Sequence, residues 1–222
     1  MKSAADRVCV SSRVMAKASH DPFYASVLTR YGAEHLGHKH WPAAAQHEFF
    51  AGESRHLHAA YGMNAVYDHG HHGNAVLTRH PIIEWCNRDL SVNRFESRGL
   101  LHCMLLPRGW NRPVAALCAH LNLLARDRRK QYADLLHYIE AAIAPDTPII
   151  LAGDFNDWGP RLAQLLAHAG LRQFEGVRTP TYPSRLPLAQ LDHVYARGLR
   201  PLSSLVPRGR IWRRMSDHLP LV

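Results

Sequence analysis

Four short stretches place acids, amides and imidazoles where apolar runs come to an end. In Gly153-Asp154-Phe155-Asn156, which follows the apolar Thr147–Ala152, residues two apart on an extended backbone face the same way. The Asp154 carboxylate and Asn156 amide can converge on one point, a pairing that suits a hard divalent cation or a water attacking a phosphate. The other reading of these four residues is an Asx turn that satisfies loop backbone groups. Ser216-Asp217-His218 enters the apolar Leu219–Val222, and its adjacent side chains diverge. Asp217 could ligate a metal while His218 reaches a phosphoryl oxygen, or the three could form a surface turn. Ala119-His120-Leu121-Asn122 sits at another strand exit, where His120 could act as acid, base or phosphate donor. In Gln190-Leu191-Asp192-His193-Val194-Tyr195, Asp192 is flanked by apolar residues and needs a partner, for which His120 is the expected one. Any one of these sites has a structural reading, but their succession along the second half of the chain points to a shared site.

The elements that position them are clear from Val114 onward. Val114–Ala119 reads as a buried strand. Tyr132, Leu135, Leu136, Ile139 and Ile143 lie on one helical face, with Arg128, Arg129, Lys130 and Asp134 elsewhere, and Pro145-Asp146 ends that helix. Thr147–Ala152 is a second buried strand, with Gly153 beginning a turn. Pro160 at a first helical position, Leu162, Leu165 and Leu166, then Gly170, outline a second helix. Leu191–Tyr195 reads as a strand and Ser216–Val222 as a loop running into a last one. Asn74–Thr78 and Leu100–Leu106 read as strands joined through the turn at His80-Pro81. Residues 1–40 show no sustained period, so the expected division is an irregular segment over 1–40 and one α/β domain over 41–222.

Composition narrows the class. With 46% of 222 residues apolar and 20% charged, the chain has the material for a core, which excludes wholesale disorder. The formal charge of +9 suits a polyanionic partner such as nucleic acid, a phosphorylated ligand or an anionic membrane surface. Four scattered cysteines without a C-x-x-C pair argue against a disulfide framework and for a reducing, cytoplasmic setting. No apolar run approaches the roughly 18 residues of a membrane span, so no stable membrane insertion is expected.

Taken in order, the exit-strand histidine, G-D-F-N, L-D-H-V and S-D-H-L-P resemble the endonuclease/exonuclease/phosphatase superfamily, whose members include DNase I and exonuclease III. Gly73-Asn74-Ala75-Val76-Leu77-Thr78-Arg79-His80-Pro81-Ile82 is similar to the family's G-N-A-x-L-S-R-x-P-I stretch, and Glu96-Ser97-Arg98-Gly99 to its E-x-R-G stretch. The resemblance runs from about Trp41 to Val222. It implies a four-layer α/β sandwich, two packed mixed sheets flanked by helices, with a metal-dependent phosphoester-hydrolysing site. It casts His120 as the imidazole on the scissile phosphate with Asp192 orienting it, and Asp154 and Asn156 as the groups that position and activate water. His218 would stabilise charge on the phosphoryl oxygens. Asp217, with Asp154, would hold Mg²⁺ or Mn²⁺. Arg98 would contact a substrate phosphate, a task its planar fork suits, and Asn74 would stand in the same substrate-side set in a supporting role.

One departure from the family pattern bears on activity. Relatives usually open with a strand carrying an asparagine and a strand ending in Q-E, whose glutamate is a principal metal ligand. Neither precedes Trp41, and Glu34 and Glu48 are not in that setting. Residues 1–40 look substituted or shortened, and the chain stops soon after S-D-H-L-P, where relatives complete another strand. The expectation is a monomeric phosphodiesterase or phosphomonoesterase with weakened metal affinity. The competing expectations are a non-catalytic phosphate- or nucleic-acid-binding relative and a fragment that folds poorly. His69, His71 and His72 sit in a Gly-rich run read as a loop, not as a zinc site.

Overall fold

The computed structural model describes residues 7–11, 24–31, 57–67, 70–173, 179–200 and 202–222. Its strands form two mixed sheets. The first contains β1 (Arg7–Ser11), β2 (Tyr24–Tyr31), β3 (His58–Tyr67) and β4 (Gly70–Thr78), in the order β1-β2-β4-β3. The second contains β5 (Ile82–Asp89), β6 (Gly99–Leu105), β7 (Val114–His120), β8 (Ile149–Asp154), β9 (Arg172–Gln173) and β10 (Asp192–Arg197), in the order β5-β6-β7-β8-β10-β9. The helices among the described residues are α1 (Ala125–Ala142), α2 (Arg161–His168) and α3 (Arg210–Met215). Two packed sheets flanked by helices are the architecture expected from the sequence.

Strand β7 shows why the sheets stack. All its side chains are buried, as a strand covered on both faces requires. Ala115, Leu117 and Ala119 join Leu100, Ile149 and Leu151 in a cluster with Tyr132, Leu135 and Ile139 of α1 and Leu162 and Leu166 of α2. The alternate residues Ala116 and Cys118 face the first sheet, where they meet Ala60, Val76, Leu101 and Ala152. The period of two in the sequence thus becomes two apolar layers, one under helices and one between sheets.

Several elements differ from the sequence reading. Asn74–Thr78 and Leu100–Leu105 are not joined by one turn; they belong to different sheets, and β5 lies between them. Strand β5 gives no alternation to read because it is an edge strand exposed along most of its length. The His71-His72 run is strand, not loop: His71 pairs with Val66 and His72 with Ala65, across a register shift. Gly73 is needed there, because a Cβ would stand 1.9 Å from the carbonyl oxygen of Gly62. Gly153 lies inside β8 rather than beginning a turn, and Pro160 caps α2 rather than starting it. Ser216–Val222 forms only a short pairing with Leu205, not a full strand. Within residues 1–40, where the sequence shows no period, β1 and β2 pair in parallel.

Candidate active site

Register brings the site together. In the parallel pairing of β7 with β8, His120 stands opposite Asp154; in the antiparallel pairing of β8 with β10, Asp154 stands opposite Asp192. Three residues more than 70 positions apart from first to last therefore lie side by side at one end of the second sheet, on strands about 5 Å apart. Close approach of β7 and β8 is needed for this, and a Cβ on Gly153 would meet the Ala119 carbonyl oxygen at 1.8 Å.

His218 arrives from a loop. The Leu219 N–H donates to the Thr181 carbonyl at 2.7 Å, and the Ser184 N–H to the Asp217 carbonyl at 2.7 Å. Ser184 Oγ donates to the Ser216 carbonyl at 2.6 Å, and Ser216 Oγ accepts the His218 N–H at 3.1 Å. This clamp sets the His218 ring over β8 and β10. Its Nδ1 lies 2.8 Å from Asp192 Oδ2 and its Nε2 3.8 Å from Asp154 Oδ2. His120 Nε2 is 3.6 Å from the same Asp154 oxygen. One buried carboxylate thus stands between two buried imidazoles.

Asp192 was expected to partner His120; its hydrogen bond, at 2.8 Å, is to His218. Strand register alone would allow either, and the clamp from Thr181 and Ser184 decides it. Burial works against a charge on His218, but the hydrogen bond and charge of Asp192, then the charges of Asp154 and Asp217, outweigh it and push its pKa up to about 9. The pairing with Asp192 thus favours the protonated form of His218.

The remaining predicted residues are distributed around this cluster. Asn156 adopts φ = 47°, a left-handed conformation that asparagine tolerates. Its N–H donates to Asp154 Oδ1 at 3.1 Å, and its Nδ2 to the Leu121 carbonyl at 2.9 Å, so it fixes the Asp154 carboxylate and ties the β7 and β8 exits together. Asp217 is exposed next to His218 and stands outside the tight group, although its charge reaches that ring. Arg98 is buried and pairs with Glu96, whose Oε1 also accepts the Leu123 N–H at 3.1 Å. Asn74 Nδ2 donates to the Gly99 carbonyl at 2.8 Å and the Cys118 carbonyl at 3.1 Å, stitching the two sheets. Asn122 turns toward α1, where its Oδ1 accepts from Gln131 Nε2 at 2.8 Å. Two contributors were missed: Tyr182, whose ring centre is 4.8 Å from that of His218, and Ser184. They lie in a turn without periodicity, which only the polar Thr181-Tyr182-Pro183-Ser184 run signalled; Glu96, in the E-x-R-G stretch, is the partner of Arg98.

Asp154, Asp192 and His218 each offer a ligand atom, and these atoms lie within 4.8 Å of one another. Asp192 Oδ1 is buried with no hydrogen-bond partner among the described residues. Adjacent carboxylate oxygens, one of them unsatisfied, fit a hard divalent cation. Among the described residues no other such group occurs, and His71 Nδ1 is engaged by the Tyr61 hydroxyl at 2.9 Å. His69, Glu34 and Glu48 lie outside the described residues.

The model of the Endonuclease/Exonuclease/phosphatase family matches residues 23–218. The chain belongs to that family. Its members are in general phosphoester hydrolases, and the match begins upstream of Trp41, taking in β2. The chain is 38% identical over 189 residues to the uncharacterised protein YbhP of Escherichia coli K12, covering 82% of this chain and 74% of YbhP. An endonuclease/exonuclease/phosphatase from Beutenbergia cavernae shares the fold with a TM-score of 0.75 at 19% identity, over 96% of this chain and 69% of that one. TDP2 of D. rerio, solved with a single-strand DNA product, has a TM-score of 0.63 at 17% identity, over 89% and 83% of the two chains. The two-sheet sandwich is therefore DNase I-like. Among the described residues no helix is long and apolar enough to cross a membrane.

Proposed function

We propose that this protein hydrolyses phosphodiester or phosphomonoester bonds with the help of Mg²⁺ or Mn²⁺. The observation that carries the reading is the buried Asp154 carboxylate flanked by two imidazoles, one of them hydrogen-bonded to Asp192 at 2.8 Å. Asp154, with Asp192 and the exposed Asp217 beside it, would hold the cation, which when bound neutralises charge developing on the phosphoryl oxygens.

The chain's own groups account for the rest. Asp154, fixed by the Asn156 N–H, orients a water and accepts its proton as the water oxygen forms the new bond to phosphorus. The His218 imidazolium donates a hydrogen bond to a non-bridging oxygen and stabilises the charge that grows there. His120, buried on the other side of Asp154, contacts the scissile phosphate. The ester P–O bond breaks opposite the attacking water, and the leaving oxygen takes up a proton from bulk water. Arg98, held by Glu96, sits in the loop that closes this end of the sheet and lends positive charge toward the substrate phosphate. Described Cys86, Cys103 and Cys118 are free, which supports a cytoplasmic setting, and we take the protein to act as a monomer.

The test is hydrolysis of bis-p-nitrophenyl phosphate. Turnover should require Mg²⁺ or Mn²⁺, stop with chelator, and fall by about a hundredfold or more in His120→Ala and Asp154→Ala. Metal-independent binding of polyanions without turnover would contradict the proposal.

A further inference from the structure

The loops that carry the site also carry large apolar side chains out into solvent. Leu123 and Leu124, just beyond His120, are 62% and 61% exposed, and Trp158, just beyond Asn156, is 67% exposed. Leu186 and Leu188 are equally open, and so is Phe95. They belong to one rim. Glu96 accepts the Leu123 N–H, which joins the Phe95 loop to the β7 exit. Trp158 meets Tyr182 edge-on at 6.5 Å, and Tyr182 lies against His218. The Leu188 N–H donates to the Tyr182 carbonyl at 2.9 Å, and the Leu186 N–H to that of Pro183 at 3.1 Å. Soluble monomers scatter such residues singly; a group of them on the loops around one polar site marks an interaction surface.

Arginines are threaded between them. Arg94 precedes Phe95, Arg126 follows Leu124 by two residues, Arg161 follows Trp158 by three, and Arg185 precedes Leu186; all four are exposed. Among the described residues the exposed acids at this end are Asp89 and Asp217. Apolar tips flanked by guanidinium groups match an anionic bilayer, with tips entering the headgroup boundary and arginines meeting the phosphates. A single-stranded nucleic acid is served instead by stacked rings, and four of these six side chains are leucines, which cannot stack a base.

We infer that the mouth of this site docks on an anionic phospholipid surface. The consequence that the ester attacked is membrane-borne rests on the phosphoesterase reading above; the docking itself does not. The rim holds the protein at the surface, with His218 and Asp154 turned toward the headgroups.

The experiment is co-sedimentation, in chelator, with vesicles of phosphatidylcholine alone and of phosphatidylcholine mixed with phosphatidylglycerol. The wild type and Asp154→Ala should both bind the mixed vesicles and bind the neutral ones weakly, so a failure of catalysis and a failure of docking are read separately. Leu124→Asp and Leu188→Asp should each weaken binding about tenfold. Leu124 precedes α1 on extended backbone with no side-chain cap, so an aspartate there supplies one, and an undiminished melting temperature shows that the variant folds. Absence of vesicle binding by the wild type, or wild-type binding by both folded variants, would overturn the inference. So would tight binding of oligothymidylate that displaces the protein from vesicles and survives both substitutions, which assigns the rim to nucleic acid.

Discussion

In the second sheet β7 and β8 bury nearly every side chain and finish in His120 and Asp154, with Asp192 alongside at the start of β10. In the first sheet β3 alternates buried and exposed residues, carries a register shift, and contributes contacts rather than chemistry among the described residues. Both sheets depend on a backbone contact that only glycine permits. A Cβ on Gly153 would stand 1.8 Å from the Ala119 carbonyl oxygen, and one on Gly73 would stand 1.9 Å from that of Gly62. The same steric demand thus serves different ends. At Gly153 it sets the register of His120 against Asp154; at Gly73 it seats an edge strand. On the proposed reading, the second sheet places His120, Asp154 and Asp192, the Thr181–Ser184 clamp places His218, and among the described residues the first sheet contributes packing.

Gly153→Ala and Gly73→Ala put that division to the test. Both should destabilise the protein by about 1–3 kcal/mol through overpacking against backbone. Gly153→Ala should also lower kcat of the folded protein about a hundredfold, since displacing the reacting groups by about an ångström is enough to do so. Gly73→Ala should lose melting temperature and keep kcat at temperatures where it is folded. Equal loss of kcat in both would dissolve the distinction.

Asp192→Asn probes the second sheet more finely. It should lower kcat/KM about ten- to hundredfold, the usual scale for removing a group that orients a reacting one. His218 should at the same time titrate at lower pH than in the wild type, where Asp192 pushes it up to about 9, in an NMR titration. The stability that this pairing contributes is complete below the ordinary histidine value of 6.5 and fades as pH rises through about 9, because the folded form holds its proton more tightly. In chelator, the stability advantage of wild type over Asp192→Asn should therefore shrink across that range.

Asn74→Ala should act on stability alone. It removes two hydrogen bonds between sheets, from Nδ2 to Gly99 and Cys118, and leaves their buried carbonyls without that donor. A loss of about 1–3 kcal/mol in denaturant unfolding, with kcat little changed, is the expected outcome. A large fall in kcat would move Asn74 into contact with substrate.

Much of this was legible in the sequence, and the reasons are local. Strands β7 and β8 announce themselves as unbroken apolar runs, α1 by its Tyr132-Leu135-Ile139 spacing, and the end of α2 by Gly170, which takes φ = 73°. His120, Asp154, Asp192 and His218 are each a polar interruption at the end of such a run. Strand β5 was not legible, because an exposed edge imposes no pattern on its side chains. Nor was the partner of Asp192, which depends on hydrogen bonds between Thr181 and Leu219 and between Ser184 and the Ser216-Asp217 backbone. Those contacts join turns distant in the chain, and no periodicity encodes them.

The central claim is that Asp154, Asp192 and the imidazoles of His120 and His218 form one cation- and phosphate-binding cleft. Substoichiometric Mn²⁺ tests it through paramagnetic broadening of histidine ring resonances assigned by single His→Gln variants. The resonances of His120 and His218 should broaden together, before those of His71 and His80, and the effect should vanish in Asp154→Ala. Broadening that begins at His71, or that persists undiminished without the Asp154 carboxylate, would place the cation elsewhere and contradict the account.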